Sequence, residues 1–323
     1  MSETAAPSPK RARFGPLARL ALSLAVLGVV LAVVSPLQVW RAMVSVGPGL
    51  WLAALALYLT GHVISAYKWR ILADPHGRFG EALRAHFSGL LANLALPGVA
   101  TGDVVRAGVM ARRAQDRAGL AMGSLADRLI DTLGLTLLAA MGLAALAHDG
   151  APSALAGWLA ALAALTVAAA IAARALLPRL LKSLPESGKF SAILHKLGGA
   201  SLTLLRRPDK LALCLALSMA VQAAFVQINI AMGQAAGALA PAGAWFFAWP
   251  TSKIIAAVPI SAGGVGVREA SLAGLMTPFG ADAAAVVAAG LVWQSIVIAG
   301  ALAGAGAAWL TRGDNAETAA HGA

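Results

Sequence analysis

The stretch Val258-Pro-Ile-Ser-Ala-Gly-Gly-Val-Gly-Val-Arg-Glu269 constrains the fold more than any other part of the chain. It lies among apolar runs, yet it carries Pro259, the glycines Gly263, Gly264 and Gly266, a serine, and an adjacent Arg268 and Glu269. An arginine near a bilayer midplane costs about 2.5–3.5 kcal/mol on insertion scales. Irregular backbone at that depth survives only where protein buries it or where it lines a wet cavity. Something must make this breach tolerable, and a site for a polar ligand is the natural candidate.

The stretch has an echo in Leu96-Pro-Gly-Val-Ala-Thr-Gly-Asp-Val-Val-Arg106. Pro97 answers Pro259, Gly102 answers Gly264 and Arg106 answers Arg268, while Gly98 loosens the first break further.

The 323 residues are 59% hydrophobic, more than a soluble core absorbs, so the chain reads as an all-α, polytopic membrane bundle. The lone cysteine, Cys214, lies in an apolar run and builds neither a disulfide framework nor a thiolate metal site. Six scattered histidines lack ligand spacing, so neither a metal nor another cofactor is expected. The net charge of +11 would suggest nucleic acid on a soluble protein. Here it is better read as basic cytoplasmic loops, with no nucleic-acid partner.

Taken in order, residues 1–16 read as a disordered basic tail and about 17–34 as a first span, retained rather than cleaved as a signal peptide. Pro36 and the 46–49 region bound a short outer loop. A second span covers about Leu50–Trp69 and ends in Lys68-Trp69-Arg70, an aromatic-plus-basic anchor at the cytoplasmic face. Residues 79–115 fit a pair of half-helices re-entering from that face. A third span covers about Leu120–Ala147. His148–Pro152 is a short outer loop, a fourth span covers about Ser153–Leu177, and 178–210 is a basic loop with an amphipathic helix at the membrane surface. A fifth span covers about Leu211–Gly237. The stretches Gly243–Val258 and Ala270–Phe279 make a second broken pair, entering from the outer face. A sixth span, about Ala283–Leu310, precedes the tail 311–323.

The basic residues test this layout. Four lie up to Arg19, eight within 68–117, eight within 174–210 and one in the C-terminal tail. Only Arg41 falls in an outer loop, and Arg128, Lys253 and Arg268 fall within the membrane. That asymmetry places both termini in the cytoplasm. Residues 17–147 and 148–310 then each read span, span, broken pair, span. Three full spans are an odd number, so the halves are inverted, an arrangement found in transporters.

Arg106 and Arg268 are the strongest candidates for ligand contact, because a guanidinium holds anionic oxygens through a planar fork. The glycines before them expose N–H groups, and a half-helix N-terminus adds partial positive charge, which together suit a phosphate. Internal pairing is the other reading, since Asp103 precedes Arg106 by three residues and Glu269 adjoins Arg268. Asp127, Arg128 and Asp131 cluster on the third span and could neutralise either arginine. Lys253 either snorkels to an interface or lines a cavity. The amides of the fifth span form two rows, Gln222 with Asn229 and Gln227 with Gln234, one of them facing the interior. Gln227 and Asn229 are retained as ligand candidates beside packing roles. Ser261 lacks a nucleophile context, and Gly263-Gly-Val-Gly lacks a preceding strand and a Walker lysine, so neither a hydrolase nor a nucleotide loop is indicated.

Pro259-Ile-Ser-Ala-Gly-Gly-Val-Gly-Val-Arg-Glu269 resembles the signature of flippase-like membrane proteins related to the transmembrane part of lysylphosphatidylglycerol synthase. Leu96-Pro-Gly with Gly102, Asp103 and Arg106 resembles an earlier block of that family. Ser124-Leu-Ala-Asp-Arg128 with Asp131 resembles a later one, with Asp127 where a Glu is common, and Lys68-Trp69-Arg70 fits the end of its second helix. The resemblance implies movement of lipids or lipid-linked glycans between leaflets of a bacterial inner membrane. It also implies a lipid partner and, for short forms, a link to hopanoid or envelope-glycolipid enzymes. The full synthase carries a soluble aminoacyltransferase domain, which is not expected in this chain.

Three functions are therefore carried forward. The first is translocation or binding of an amphiphile with an anionic headgroup, without enzymatic activity. The second is a non-transporting scaffold that recruits a lipid-pathway enzyme through 178–210. The third is a membrane enzyme using Asp127 or Asp131 as a general base.

Overall fold

A computed structural model describes Gly28 and residues 36–73, 76–95, 101–111, 114, 116–147, 153–183, 189–257 and 266–310. The remainder of the expected first span, both tails and the His148–Pro152 loop lie outside the described residues. So do the break residues Pro97, Gly98, Pro259, Gly263 and Gly264.

The protein is an all-α membrane bundle, with no strand among the described residues. Helix α1 spans Pro36–Ser45, α2 Gly47–Ala73, α3 Phe79–Ala95 and α4 Thr101–Ala111. Then come α5 (Arg117–Ala147), α6 (Ser153–Ser183), α7 (Lys189–Leu205) and α8 (Pro208–Ala236). Helices α9 (Ala242–Ala256) and α10 (Val267–Met276) are followed by a three-ten turn at Thr277–Phe279 and by α11 (Ala283–Leu310). Four of these, α2, α5, α8 and α11, are long and apolar enough to cross a membrane. Their outward faces carry exposed Leu52, Leu129, Met141, Leu213 and Leu302, the surface a bilayer would cover.

The ends of the helices follow from local chemistry. Pro208 opens α8, where its missing N–H costs nothing. Gly237, at φ +93°, closes α8, and the Ala238 N–H reaches back to Gly233 O at 2.7 Å. Asp116 and Asp282 accept the Gly119 and Ala285 N–H groups at 2.9 and 2.8 Å, capping α5 and α11.

Each expected break lies between two helices that pack on each other. Helix α4 has 11 residues and α10 has 10. At ~1.5 Å per residue they are roughly half the ~30 Å of a hydrocarbon core. The arms α3 and α4 meet backbone to backbone, since a Cβ on Gly89 would lie 2.6 Å from Gly102 O. Small residues also set the approach of the long helices. A Cβ on Gly142 of α5 would meet Phe247 N at 2.5 Å and Gly243 O at 2.6 Å on α9. Gly61 of α2 seats the Phe225 ring of α8, and Gly300 of α11 seats Tyr58.

The packing pairs repeat when the halves are exchanged. Helix α5 packs on α9, and α11 packs on α3. Helix α2 packs on α5 as α8 does on α11, and α5 packs on α8 as α11 does on α2. The hairpins meet their neighbours in the same way, α3 on α2 as α9 on α8, and α4 on α5 as α10 on α11. Even the connecting helices follow, α1 against α11 and α7 against α5.

Three expectations change. The stretch expected as an outer loop is largely the helix α1, whose Val39 is buried and whose Ser45 donates to Ala235 O at 2.6 Å. Most of 178–210 is helical: α6 continues through Pro178 to Ser183, and α7 packs on both α5 and α6. Helix α2 runs a full turn past Trp69, so Lys68 and Trp69 are buried within the bundle rather than anchored at its surface.

Candidate functional site

The buried end of α2 meets α4 and α5 in a chain of charges that alternate in sign. Asp131 pairs with Lys68, and Lys68 also pairs with Asp127 at 3.1 Å. Asp127 then pairs with Arg106 at 3.1 Å, Arg106 with Asp103 at 3.1 Å, and Asp103 with Arg128. Three cations face three anions, so the ladder is neutral. Its inner members are almost sealed, Lys68 at 2%, Asp127 at 3% and Arg106 at 6% exposure. Charges this deep persist only when paired and hydrogen-bonded, because desolvation costs several kcal/mol per ion.

Neighbours fix the ladder further. The Trp69 ring lies 4.6 Å from the Arg106 guanidinium carbon, and its Nε1–H donates to Ser124 at 3.0 Å. Ser218 of α8 donates to Asp131 at 2.5 Å. Arg106 Nη1 lies 3.4 Å from His86 Nδ1. A guanidinium only donates, so His86 accepts there. As a neutral ring it then donates from Nε2 to His62 Nδ1, 3.0 Å away. His62 packs edge-on against Tyr58, with ring centroids 4.3 Å apart. Tyr58, Phe225, Trp249 and Trp293 continue as one set of touching rings.

The second arginine is held more lightly. Arg268 Nη2 donates to Glu269 at 2.5 Å, to Gln294 at 3.2 Å and to Gly290 O at 3.4 Å. Its Nη1 and Nε groups have no hydrogen-bond partner among the described residues, and its side chain is 15% exposed. Glu269 is buried and turns back to accept the Gly266 N–H at 2.7 Å. Gly266 sits at φ +81°, a conformation that disfavours any side chain.

Two of the glycine N–H groups expected to face a phosphate, those of Gly102 and Gly266, are otherwise engaged. Gly102 N–H donates to Asn93 at 2.7 Å and Gly266 N–H to Glu269. At these two glycines, anion contact falls to the neighbouring side chains.

Lys253 points inward. Its Nζ donates to Gln222 at 2.9 Å and lies 5.0 Å from the Trp249 ring and 5.9 Å from Phe225. The interior amide row is Gln222 with Asn229. Asn229 donates to Phe225 O at 2.8 Å within its own helix, whereas Gln227 and Gln234 are exposed on the other face, so Gln227 joins none of these groups. The structure thus brings Asp103, Arg106, Asp127, Arg128 and Asp131 together, and Arg268 with Glu269. It adds Lys68, His62, His86 and Gln294. Lys68 was disguised because a lysine closing an apolar run reads identically whether it snorkels or is buried. The histidines, 24 residues apart, have no spacing that signals their contact.

Among the described residues no group of acidic, histidine or cysteine side chains could hold a metal ion. Comparison with curated proteins gave no match. The model of one family, the lysylphosphatidylglycerol synthase TM region, matches residues 17–304. That match covers most of the 323 residues, and the chain belongs to this family of membrane domains, which is tied to lipids.

Proposed function

We propose that the protein binds an anionic-headgroup membrane lipid at Arg268 and moves the headgroup between leaflets, without a chemical reaction of its own. The carrying observation is that Arg268 spends one nitrogen on protein acceptors while Nη1 and Nε have no acceptor among the described residues. It stands on a half-helix, beside a carboxylate that is independently satisfied by Gly266. An arriving phosphate could take up the guanidinium without stranding Glu269.

The exchange symmetry of the packing supports a repeat, 17–147 against 148–310, which we read as inverted, and the distribution of basic residues supports both termini on the cytoplasmic side. On that reading the two hairpins open to opposite leaflets and rock about a shared centre. The neutral ladder around Arg106 is the fixed half, and the Arg268 hairpin is the half that exchanges ligand.

In proteoliposomes, Arg268→Ala should lower scrambling of fluorescent phosphatidylglycerol about tenfold, the worth of one charge-assisted hydrogen bond. The melting temperature in detergent should fall only moderately, since Glu269 loses its cation but keeps the Gly266 N–H. Wild-type scrambling by a well-folded variant would remove Arg268 from the mechanism.

A further inference from the structure

We propose that Lys253 is the contact for the phosphate diester of an anionic membrane lipid, held ready by Gln222 and the faces of Trp249 and Phe225. The inference rests on the lipid-binding reading above and deepens it.

Charge balance singles out this residue. Lys68, Arg106, Arg128 and Arg268 each hold a carboxylate. Lys253 holds none within ion-pair distance among the described residues. The ladder is neutral and so is the Arg268–Glu269 pair, which leaves Lys253 as an uncompensated positive charge beside them among the described residues. An ammonium has three N–H donors, and Gln222 Oε1 accepts one at 2.9 Å. The aromatic faces attract the cation but supply no lone pairs in the plane of a normal acceptor. The seat therefore orients the ammonium without neutralising it.

Such a site fits a ligand that carries one negative charge and then leaves. A permanent carboxylate would hold the lysine as Asp127 holds Lys68. A neutral amide keeps the side chain in place and leaves the charge for the arriving group. Lysine meets phosphate as a point charge, tolerant of how the diester is turned, which suits a headgroup that must rotate as it passes. Lys253 is partly exposed and stands in the last turn of α9. Its partial exposure would let a lipid present its phosphate there while its tails remain in the bilayer. Inorganic phosphate carries the same chemistry without tails, and the test must separate the two.

The 323-residue chain in detergent is titrated with fluorescent phosphatidylglycerol and, separately, with fluorescent diacylglycerol, which lacks the phosphate. Lys253→Met should weaken phosphatidylglycerol binding about tenfold, leave diacylglycerol binding unchanged, and be largely rescued by Lys253→Arg. Gln222→Leu should weaken it less. Lys253→Met should melt no lower than wild type, because it removes a part-buried charge that holds no carboxylate among the described residues. Unchanged phosphatidylglycerol binding, or a clear fall in melting temperature, overturns the assignment by making Lys253 a spectator or a structural cation. Competition by millimolar inorganic phosphate overturns the lipid assignment in favour of the free anion. Loss of binding in Lys253→Met with normal scrambling in Arg268→Ala keeps the site and removes Arg268 from transport. The converse removes Lys253 alone. A wild type that does not prefer phosphatidylglycerol defeats both readings.

Discussion

Arg106 and Arg268 occupy the same register of two similar hairpins, and their surroundings differ in kind. Arg106 is sealed by two carboxylates from different helices, a histidine and an indole face. Arg268 meets one carboxylate, on the adjacent residue, and a glutamine on α11. The first hairpin is tied to α2 and α5 by charge. The second is tied to α11 by weaker, partly neutral bonds. Two elements of similar backbone are thus held differently, one by several charged contacts and one by fewer. On the proposed transport reading, the second is the one able to exchange its contacts for a ligand.

The largest effect should come from cutting the ladder. Asp127→Ala leaves Lys68 with Asp131 alone and Arg106 with Asp103 alone, two cations each short of a partner in dry protein. Breaking a buried pair costs about 3–5 kcal/mol. The variant should be recovered at low yield from membranes, or melt well below wild type in detergent. Arg268→Ala, by contrast, takes the cation from one carboxylate that keeps the Gly266 N–H, so its yield and melting should fall less. Equal destabilisation by both would erase the distinction between the two hairpins.

The glycines sharpen it at the next level. Gly266→Ala forces a Cβ onto a backbone at φ +81°, a strain of about 1–3 kcal/mol. Gly102→Ala meets no such backbone penalty, but its Cβ would lie 2.5 Å from Gly89 O and from Asn93 Nδ2. Both should lower stability, for different reasons. Exchanging Asn93 for Ser gives the first hairpin room at the side chain and should recover part of the Gly102→Ala loss. No neighbouring substitution should recover Gly266→Ala. Melting temperatures of the single and double variants decide it.

Much of this was legible in the chain itself. The sixth span, Ala283–Leu310, is read from hydropathy with the ends the structure gives it. Both breaks are visible because proline, glycine and arginine are costly in an apolar run. The pairing of Asp127 with Arg106 was open to inference from charge alone. What the sequence hid was depth. Lys68-Trp69-Arg70 looks like an interface anchor, and only the extra turn of α2 and the hairpin packed beside it bury the first two residues. Gly102 and Gly266 look like open N–H donors. Their acceptors are Asn93, nine residues earlier, and Glu269, three residues later. Hydropathy weighs each residue singly, whereas burial of a charge depends on which partners the tertiary fold delivers.

Gln294→Leu should give the smallest effect and bears most directly on how loosely Arg268 is held. The amide oxygen accepts from Arg268 Nη2 at 3.2 Å, a long contact to a neutral group. Its removal leaves Nη2 with Glu269 and Gly290 O, so no charge is stranded. The loss of stability should stay below about 1 kcal/mol, within the usual net worth of one hydrogen bond. The freed guanidinium should bind an anionic headgroup no less tightly, because one competing acceptor has gone. Phosphatidylglycerol affinity equal to or above wild type, with a melting shift of a few degrees at most, is the expected pair of results. A large fall in melting temperature would show Arg268 to be as firmly built in as Arg106, and would leave Lys253, among the described residues, as the interior cation free to meet a ligand.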